Sequence, residues 1–230
     1  MSGWRMICLL LLFLWILPVP AVWAGNAGKG ADLRNMLRQA QGLRAAGDAQ
    51  AAAAILRRAI ARAGKSADAA MLYRLWFALG GMDTARRHLD AALSDYDKAR
   101  ALAAAAAARG GALRPQWLHR AWAARDRMGD LTMNLRGAEQ AAAIYGRALK
   151  DARAMHAARP RNAQWRLDLA RALGKVAAGG NAPRRHYEEA LALLARMPAE
   201  GPLAARARFW RERIAAALRQ LRHKAPRTKP

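Results

Sequence analysis

Apolar residues recur along the chain at intervals of three and four and never alternate with polar ones for long, a pattern that predicts helices and no strands. The plainest stripe lies near the C-terminus. Leu203, Ala207, Trp210, Ile214, Leu218 and Leu221 fall on one helical face, with Arg206, Arg208, Arg211 and Arg213 mainly on or beside the solvated one. Upstream, glycine and proline divide the helical pattern. Gly110-Gly111 stops the alanine-rich stretch from Ala101, Gly179-Gly180-Asn181-Ala182-Pro183 forms a second break, and Pro198-Ala199-Glu200-Gly201-Pro202 a third. The expected fold class is all-α.

The N-terminal segment follows a different logic. Arg5 precedes a nearly unbroken apolar stretch from Met6 to Trp23, interrupted by Pro18 and Pro20, and Val22 and Ala24 supply small residues at the end. This is the order of a secretory signal peptide, so residues 1–24 are read as a signal removed after Ala24 and the mature chain as exported, to the periplasm or cell envelope. A secreted chain, or one held by an uncleaved N-terminal anchor, is the alternative. The stretch barely reaches the roughly 20 apolar residues that a membrane span needs, and the prolines fall where a spanning helix should continue. Cys8, the single cysteine, lies at the start of this stretch, so it offers neither an intramolecular disulfide nor a lipid-attachment site at its end. Gly25, Gly28 and Gly30 give residues 25–32 the look of a flexible linker.

Within residues 33–197 a helix-pair signature repeats. Trp76, Leu79 and Gly80 are followed by Ala92, Tyr96 and Ala99; the frame returns at Met128, Gly129, Ala141, Tyr145, Ala148 and Leu149. A weaker early copy carries Met36, Ala40, Leu43, Gly47, Ala52, Leu56, Ala59 and Ile60. A late copy, with a turn three residues shorter, carries Leu173, Gly174, Tyr187, Ala190 and Leu191. Pro115-Gln116-Trp117-Leu118 and Asn162-Ala163-Gln164-Trp165 open the last two copies. The residue types at these positions resemble the signature of the tetratricopeptide repeat (TPR) family, in a long-period form like its bacterial variants. Spacings of 40 to 49 residues here exceed the family's usual period of about 34. Met36 and Gln39 stand where Trp and Leu are usual in the first copy, and Arg125 replaces Trp in the third. The resemblance implies a solenoid of about four helix pairs, with residues 198–222 as a capping helix and 223–230 as a disordered basic tail.

These positions also have a physical reading of their own. A small residue at Gly80, Gly129 or Gly174 lets the second helix of a pair approach the first, and Ala92 and Ala141 do the same from the facing helix. Tyr96 and Tyr145 lie four residues further along that face and are expected to fill the gap towards the next pair. One pair cannot bury its apolar face alone, so several must stack. Trp76, Trp117, Trp122, Trp165 and Trp210 fit the same stripes and are read as core.

Charge adds one open question. The formal net charge is +24, from 40 Lys and Arg against 16 Asp and Glu, with arginine dominant and spread along the chain. Attraction to polyanions follows from such a balance. A compositional preference for alanine and arginine on solvated faces accounts for it more simply, because the arginines do not cluster on one element.

Catalytic patterns are not found in the sequence. His88, His119, His156, His186 and His223 include no two at metal-binding spacing, and His186 with Glu189 would give two ligands of the three or four required. A nucleophile elbow and a phosphate-binding loop are missing. Asp126 and Asp130 share a helix face and are the best carboxylate pair, but neutralisation by Arg125 and Arg127 explains them more simply. The expectation is a non-enzymatic chain that needs no cofactor. In the family it resembles, the first helices of the pairs line a groove for a peptide or partner helix. Carried onto this chain, those positions are Arg34, Gln41 and Arg44; Asp126, Asp130, Met133 and the adjacent Asn134; and Asp168, Arg171 and Lys175. Their mixed signs suggest polar recognition of a protein or peptide partner rather than a track for nucleic acid. The alternative function is electrostatic binding of an anionic surface such as lipid headgroups, acidic polysaccharide or nucleic acid.

Overall fold

Short turns, most of them closed by a glycine or a capping side chain, fix where one helix ends and the next begins. The computed structural model describes the backbone of residues 21–64, 67–180 and 182–224. Among these, nine helices follow in order: α1 (Ala21–Ala45), α2 (Ala49–Ala63), α3 (Ala69–Ala85), α4 (Leu89–Ala108), α5 (Arg114–Arg136), α6 (Ala138–Ala158), α7 (Ala163–Ala178), α8 (Pro183–Ala195) and α9 (Pro202–Lys224). The signal segment up to residue 20 and the tail from residue 225 lie outside the described residues.

Local chemistry explains the boundaries. The Asp48 carboxylate accepts from the Ala51 amide at 2.8 Å, and Asn162 accepts from the Trp165 amide at 3.1 Å, so each satisfies an orphan donor at a helix start. Pro115 and Pro183 sit in the first turns of α5 and α8, where the missing N–H costs nothing. Between α4 and α5 the chain reverses through Gly110 and Gly111 at φ of 77° and 83°, a left-handed region that favours glycine.

With connections this short, neighbouring helices run antiparallel, and each packs mainly on the next in sequence. The pairs are α1/α2, α3/α4, α5/α6 and α7/α8, and α9 covers the end by packing on both α7 and α8. The core is accordingly a succession of layers. Leu33, Leu37 and Ala40 meet Ile55, Leu56 and Ala59, then Leu75 and Leu79. Tyr73 leads on to Ala99, Ala103 and Trp117. Trp122, Tyr145, Trp165, Leu173, Leu194 and Ile214 continue it to the last helix. The architecture is a helix-pair solenoid with a covering helix.

Three sequence-based expectations are corrected. Residues 25–32 are not a linker but part of α1. No proline interrupts the segment after position 20, and extending an existing helix costs far less than nucleating one; Asp32 also pairs with Arg62 of α2 at 3.2 Å. The covering helix spans Pro202–Lys224 rather than beginning at 198, because Gly201 at φ 87° turns the chain first. The tyrosines do not only face the next pair, where Tyr96 packs with Leu131 of α5 and Lys175 of α7 lies 5.6 Å from the Tyr145 ring centroid; they also fill notches inside their own pairs. A Cβ on Gly80 would lie 3.1 Å from the Tyr96 ring, and one on Gly129 would lie 2.5 Å from that of Tyr145. Gly174 instead receives Ile214 of α9, at 3.1 Å from such a Cβ. The shorter α7–α8 connection carries Tyr187 away from this glycine, and the covering helix occupies its place.

Gly129→Ala should lower stability by about 1–2 kcal/mol, the overpacking cost less the gain in helix propensity. Gly146→Ala, in α6 with open space around its Cβ position, should raise stability by up to about 1 kcal/mol. Thermal melts of the two variants check the pair; equal shifts would contradict the close packing of Tyr145 on Gly129.

Candidate functional site

The first helices of successive pairs, α1, α3, α5 and α7, stand side by side, and their inner faces build two adjoining sites. Equivalent positions in the third and fourth copies are 45 residues apart, as Gly129 and Gly174 show. Hydrogen bonds join these helices at the same offset. Arg171 Nη2 donates to Asp126 Oδ2 at 2.7 Å, and Lys175 Nζ to Asp130 Oδ2 at 3.0 Å, both across 45 residues. One turn further, across 49 residues, Lys175 Nζ reaches Asp126 Oδ1 at 2.6 Å, and His119 Nε2 lies 3.0 Å from Asp168 Oδ2.

The result is a ladder of alternating charge between α5 and α7. Arg171 also approaches Asp168 at 3.4 Å, Gln164 donates to Asp168 at 2.8 Å, and the Tyr145 hydroxyl donates to Asp130 at 2.9 Å. Trp122 and Trp210 hold the Arg171 guanidinium at 5.4 and 5.6 Å from their ring centroids, and His119 stacks on Trp122. Five positions read from the sequence as partner-facing (Asp126, Asp130, Asp168, Arg171 and Lys175) therefore converge, but on one another. Asp126 is 2% exposed and Asp168 0%. The expected neutralisers are also different. Arg125 pairs with Asp151 of α6, while Arg127 points elsewhere; cations one repeat further on face Asp126, because like-numbered positions of neighbouring copies lie opposite one another. Asp130, Met133, Asn134, Arg171 and Lys175 line a cavity of about 410 Å³ that α9 closes with Trp210 and Arg213.

The second site opens beside the first, over α1, α3 and the start of this face on α5. Its volume is about 790 Å³. Arg34, Gln41 and Arg44, expected from the sequence to face a partner, all line it. Arg38, Arg74 and Arg127 complete the rim, and among the described residues no aspartate or glutamate lines the cavity. All five arginines are exposed, and among the described residues none forms an ion pair; Arg38 donates only to the Asn35 amide oxygen. The floor is apolar, with Leu37, Leu56, Phe77 and Met82 beside Tyr73 and Tyr96.

The floor rings are engaged with each other. Tyr73 stacks on Phe77 at 5.5 Å, and Phe77 meets Tyr96 edge-on at 5.2 Å. Burial raises the Tyr96 hydroxyl above its ordinary range, while Arg127 and Arg44 pull it back, so positive charge reaches the ring from both sides of the cavity. Arg74, Phe77, Gly81 and Thr84 were missed in the second copy. The position count that selected Arg34, Gln41 and Arg44 selects them too, had it been applied there. Arg38 and Arg127 fall outside that count and carried no signal of their own.

No group of three or more His, Cys, Asp or Glu side chains gathers as a metal site among the described residues. None of the described helices is long and apolar enough to cross a membrane.

Removing the central carboxylate of the ladder should be expensive. Asp126→Ala leaves Arg171 with Asp168 alone and Lys175 with Asp130 alone, both cations nearly buried, and should cost about 3 kcal/mol in a denaturant titration, the lower end for breaking a buried pair. A loss below about 1 kcal/mol would show the ladder to be dispensable. The tyrosines set an alkaline limit. Burial, first among the causes, raises the hydroxyls of Tyr73, Tyr96, Tyr145 and Tyr187, and Asp130 and Asp126 add to it at Tyr145. A raised folded-state pKa means that the unfolded chain loses its phenolic protons first. That stability is complete below about pH 10 and falls as pH rises beyond it. Absorbance at 295 nm should therefore show tyrosinate appearing together with cooperative unfolding; gradual ionisation of a folded chain would contradict it.

No family model matches the chain, and no curated protein matches it. Solved structures do. BtubC (BKLC) from P. vanneervenii is similar over 91% of this chain and 87% of its own, with a TM-score of 0.59 and 15% identity. A point variant of a Podosopora anserina putative kinesin light chain, with nearly identical TPR-like repeats, is similar over 84% of this chain and 89% of its own, with a TM-score of 0.54 and 17% identity. At such identities the likeness is one of fold, and the fold of this chain is TPR-like.

Proposed function

We propose that the chain is an exported, non-enzymatic scaffold that holds a protein or peptide partner in the groove over α1, α3 and α5. The observation that carries this reading is the open cavity of about 790 Å³ on the first helices of the pairs. Helical-repeat folds of this kind commonly mediate protein interactions, and stacked first helices give an extended surface on which a partner segment can lie. Export rests on the signal-like order of residues 1–24. A scaffold reading also agrees with where the polar side chains are. The best-formed carboxylate cluster is locked in ion pairs with Arg171 and Lys175, which hold it for structure rather than for proton transfer.

A second reading has its own support. The net charge of +24 and the exposed Arg206, Arg208, Arg211, Arg213 and Arg219 of α9 favour attraction to an anionic surface. One experiment separates the two. A photo-crosslinking residue at Gln41, in the groove, or at Lys150, exposed on α6, is activated in intact cells. Gln41 should give a discrete protein adduct that Lys150 does not, and Gly81→Trp, which fills the cavity, should abolish it. Equal labelling at both positions, with binding to anionic vesicles unaffected by Gly81→Trp, would favour the surface reading.

A further inference from the structure

The cations of the inner face are divided unequally between its two ends. Over α5 and α7, Arg171 and Lys175 are consumed by Asp126, Asp130 and Asp168. Over α1 and α3, Arg34, Arg38, Arg44 and Arg74 face the cavity with no acid opposite, and Arg127 stands at the boundary, lining both cavities. We infer that the groove is electrically one-ended: it takes an extended polypeptide whose acidic stretch lies against α1 and α3, and whose neutral stretch runs on towards α5 and α9. This deepens the scaffold reading and rests on it.

The dimensions fit such a segment. Arg34 to Arg44 spans ten residues of helix, about 15 Å, which an extended peptide covers with about five residues. Arg34, Arg38 and Gln41 follow one another at intervals of four and three, so they line one wall about a turn apart. Side chains of a strand alternate, so acids at every second position meet this wall while the residues between turn to the floor. That floor offers Leu37, Leu56 and Met82 to an apolar side chain. A polypeptide suits it better than nucleic acid, because Tyr73, Phe77 and Tyr96 pack their rings on one another and leave no stacking platform for bases. Guanidinium groups also match carboxylates as paired donors.

The test uses the full chain and a labelled, end-blocked twelve-residue probe, Glu-Leu-Glu-Leu-Glu-Leu-Ser-Ala-Leu-Ser-Ala-Leu. Fluorescence anisotropy should show binding that weakens about tenfold or more when Glu is replaced by Gln. It should weaken similarly in the Arg34→Glu/Arg44→Glu/Arg74→Glu variant, and several-fold between about 50 and 200 mM salt, where screening tightens. Arg213→Glu, at the other end, should change affinity less than about twofold. A crosslinker in the acidic half should label α1 or α3, and one in the neutral half α5 or α9.

Loss of one-endedness would appear as an Arg213→Glu effect equal to that of the triple variant, or as a Gln probe that binds as well as the Glu probe. A twelve-nucleotide oligothymidylate that displaces the probe at equimolar concentration would overturn the choice of polypeptide. Gly81→Trp separates the two levels. If it abolishes probe binding while the arginine variants do not, the charge inference fails and the groove reading stands. If probe binding survives Gly81→Trp, both fail.

Discussion

A tyrosine ring lying flat against a glycine backbone sets the separation of the helices within a pair, and the inner face depends on that separation. Gly129 with Tyr145 leaves no room for a Cβ, and at Gly80 a Cβ would fit only if the Tyr96 ring gave way slightly. Helix axes can then come close enough for Ala92 and Ala141 to be fully buried on the facing helix. With the second helix held so tightly, the first helices of successive pairs stand next to one another at a repeatable distance. Their side chains at equivalent positions can meet. Tyr145 links the two scales directly, since its ring fills the glycine notch while its hydroxyl donates to Asp130 in the ladder.

The repeat geometry turns a sequence offset into an electrostatic one. Positions 45 residues apart in the third and fourth copies become neighbours, so an acid in one copy is neutralised by a base at the same place in the next. Such pairs are nearly dry, and Coulomb attraction there competes with desolvation, so the ladder's clearest consequence is specification of register between α5 and α7 rather than added stability. The earlier copies lack the acids. Phe77 and Gly81 stand in α3 where Asp126 and Asp130 stand in α5, and the arginines of α1 consequently have nothing to pair with. One substitution pattern within a repeat thus pairs Arg171 and Lys175 with acids in one half of the inner face and leaves the arginines of the other half unmatched.

The sequence was informative where the physics is local and periodic. Helix content, the four pairs and the covering helix all follow from apolar spacing and from glycine and proline at the turns, and Arg34, Gln41 and Arg44 line the cavity over α1 and α3. It was misleading where propensity competes with context. Gly25, Gly28 and Gly30 disfavour helix individually, yet α1 runs through them. Burial was the harder quantity. Asp126 and Asp168 look solvated in one copy viewed alone, because the cations that surround them belong to another helix. Only the rule that equivalent positions face each other would have paired them in advance. The role of Gly174 was equally hidden, since Ile214 reaches it from α9, forty residues away and outside the repeat frame.

Placement of the acids bears on the net charge more than its total does. The buried acidic and basic side chains among the described residues are all aspartates (Asp83, Asp95, Asp126 and Asp168), and each has a basic partner: Arg57 and Arg86, Lys98, Arg171 with Lys175, and Arg171 with His119. Asp83, Asp126 and Asp168 join neighbouring helices through their partners, and each buried acid is withdrawn from the surface. The exterior is therefore more uniformly positive than the composition states. A general preference for arginine would spread that excess evenly. The inner face does not: of two adjoining cavities built from the same repeat, one has Arg171 and Lys175 matched by acids, and the other has no matched cation among the described residues.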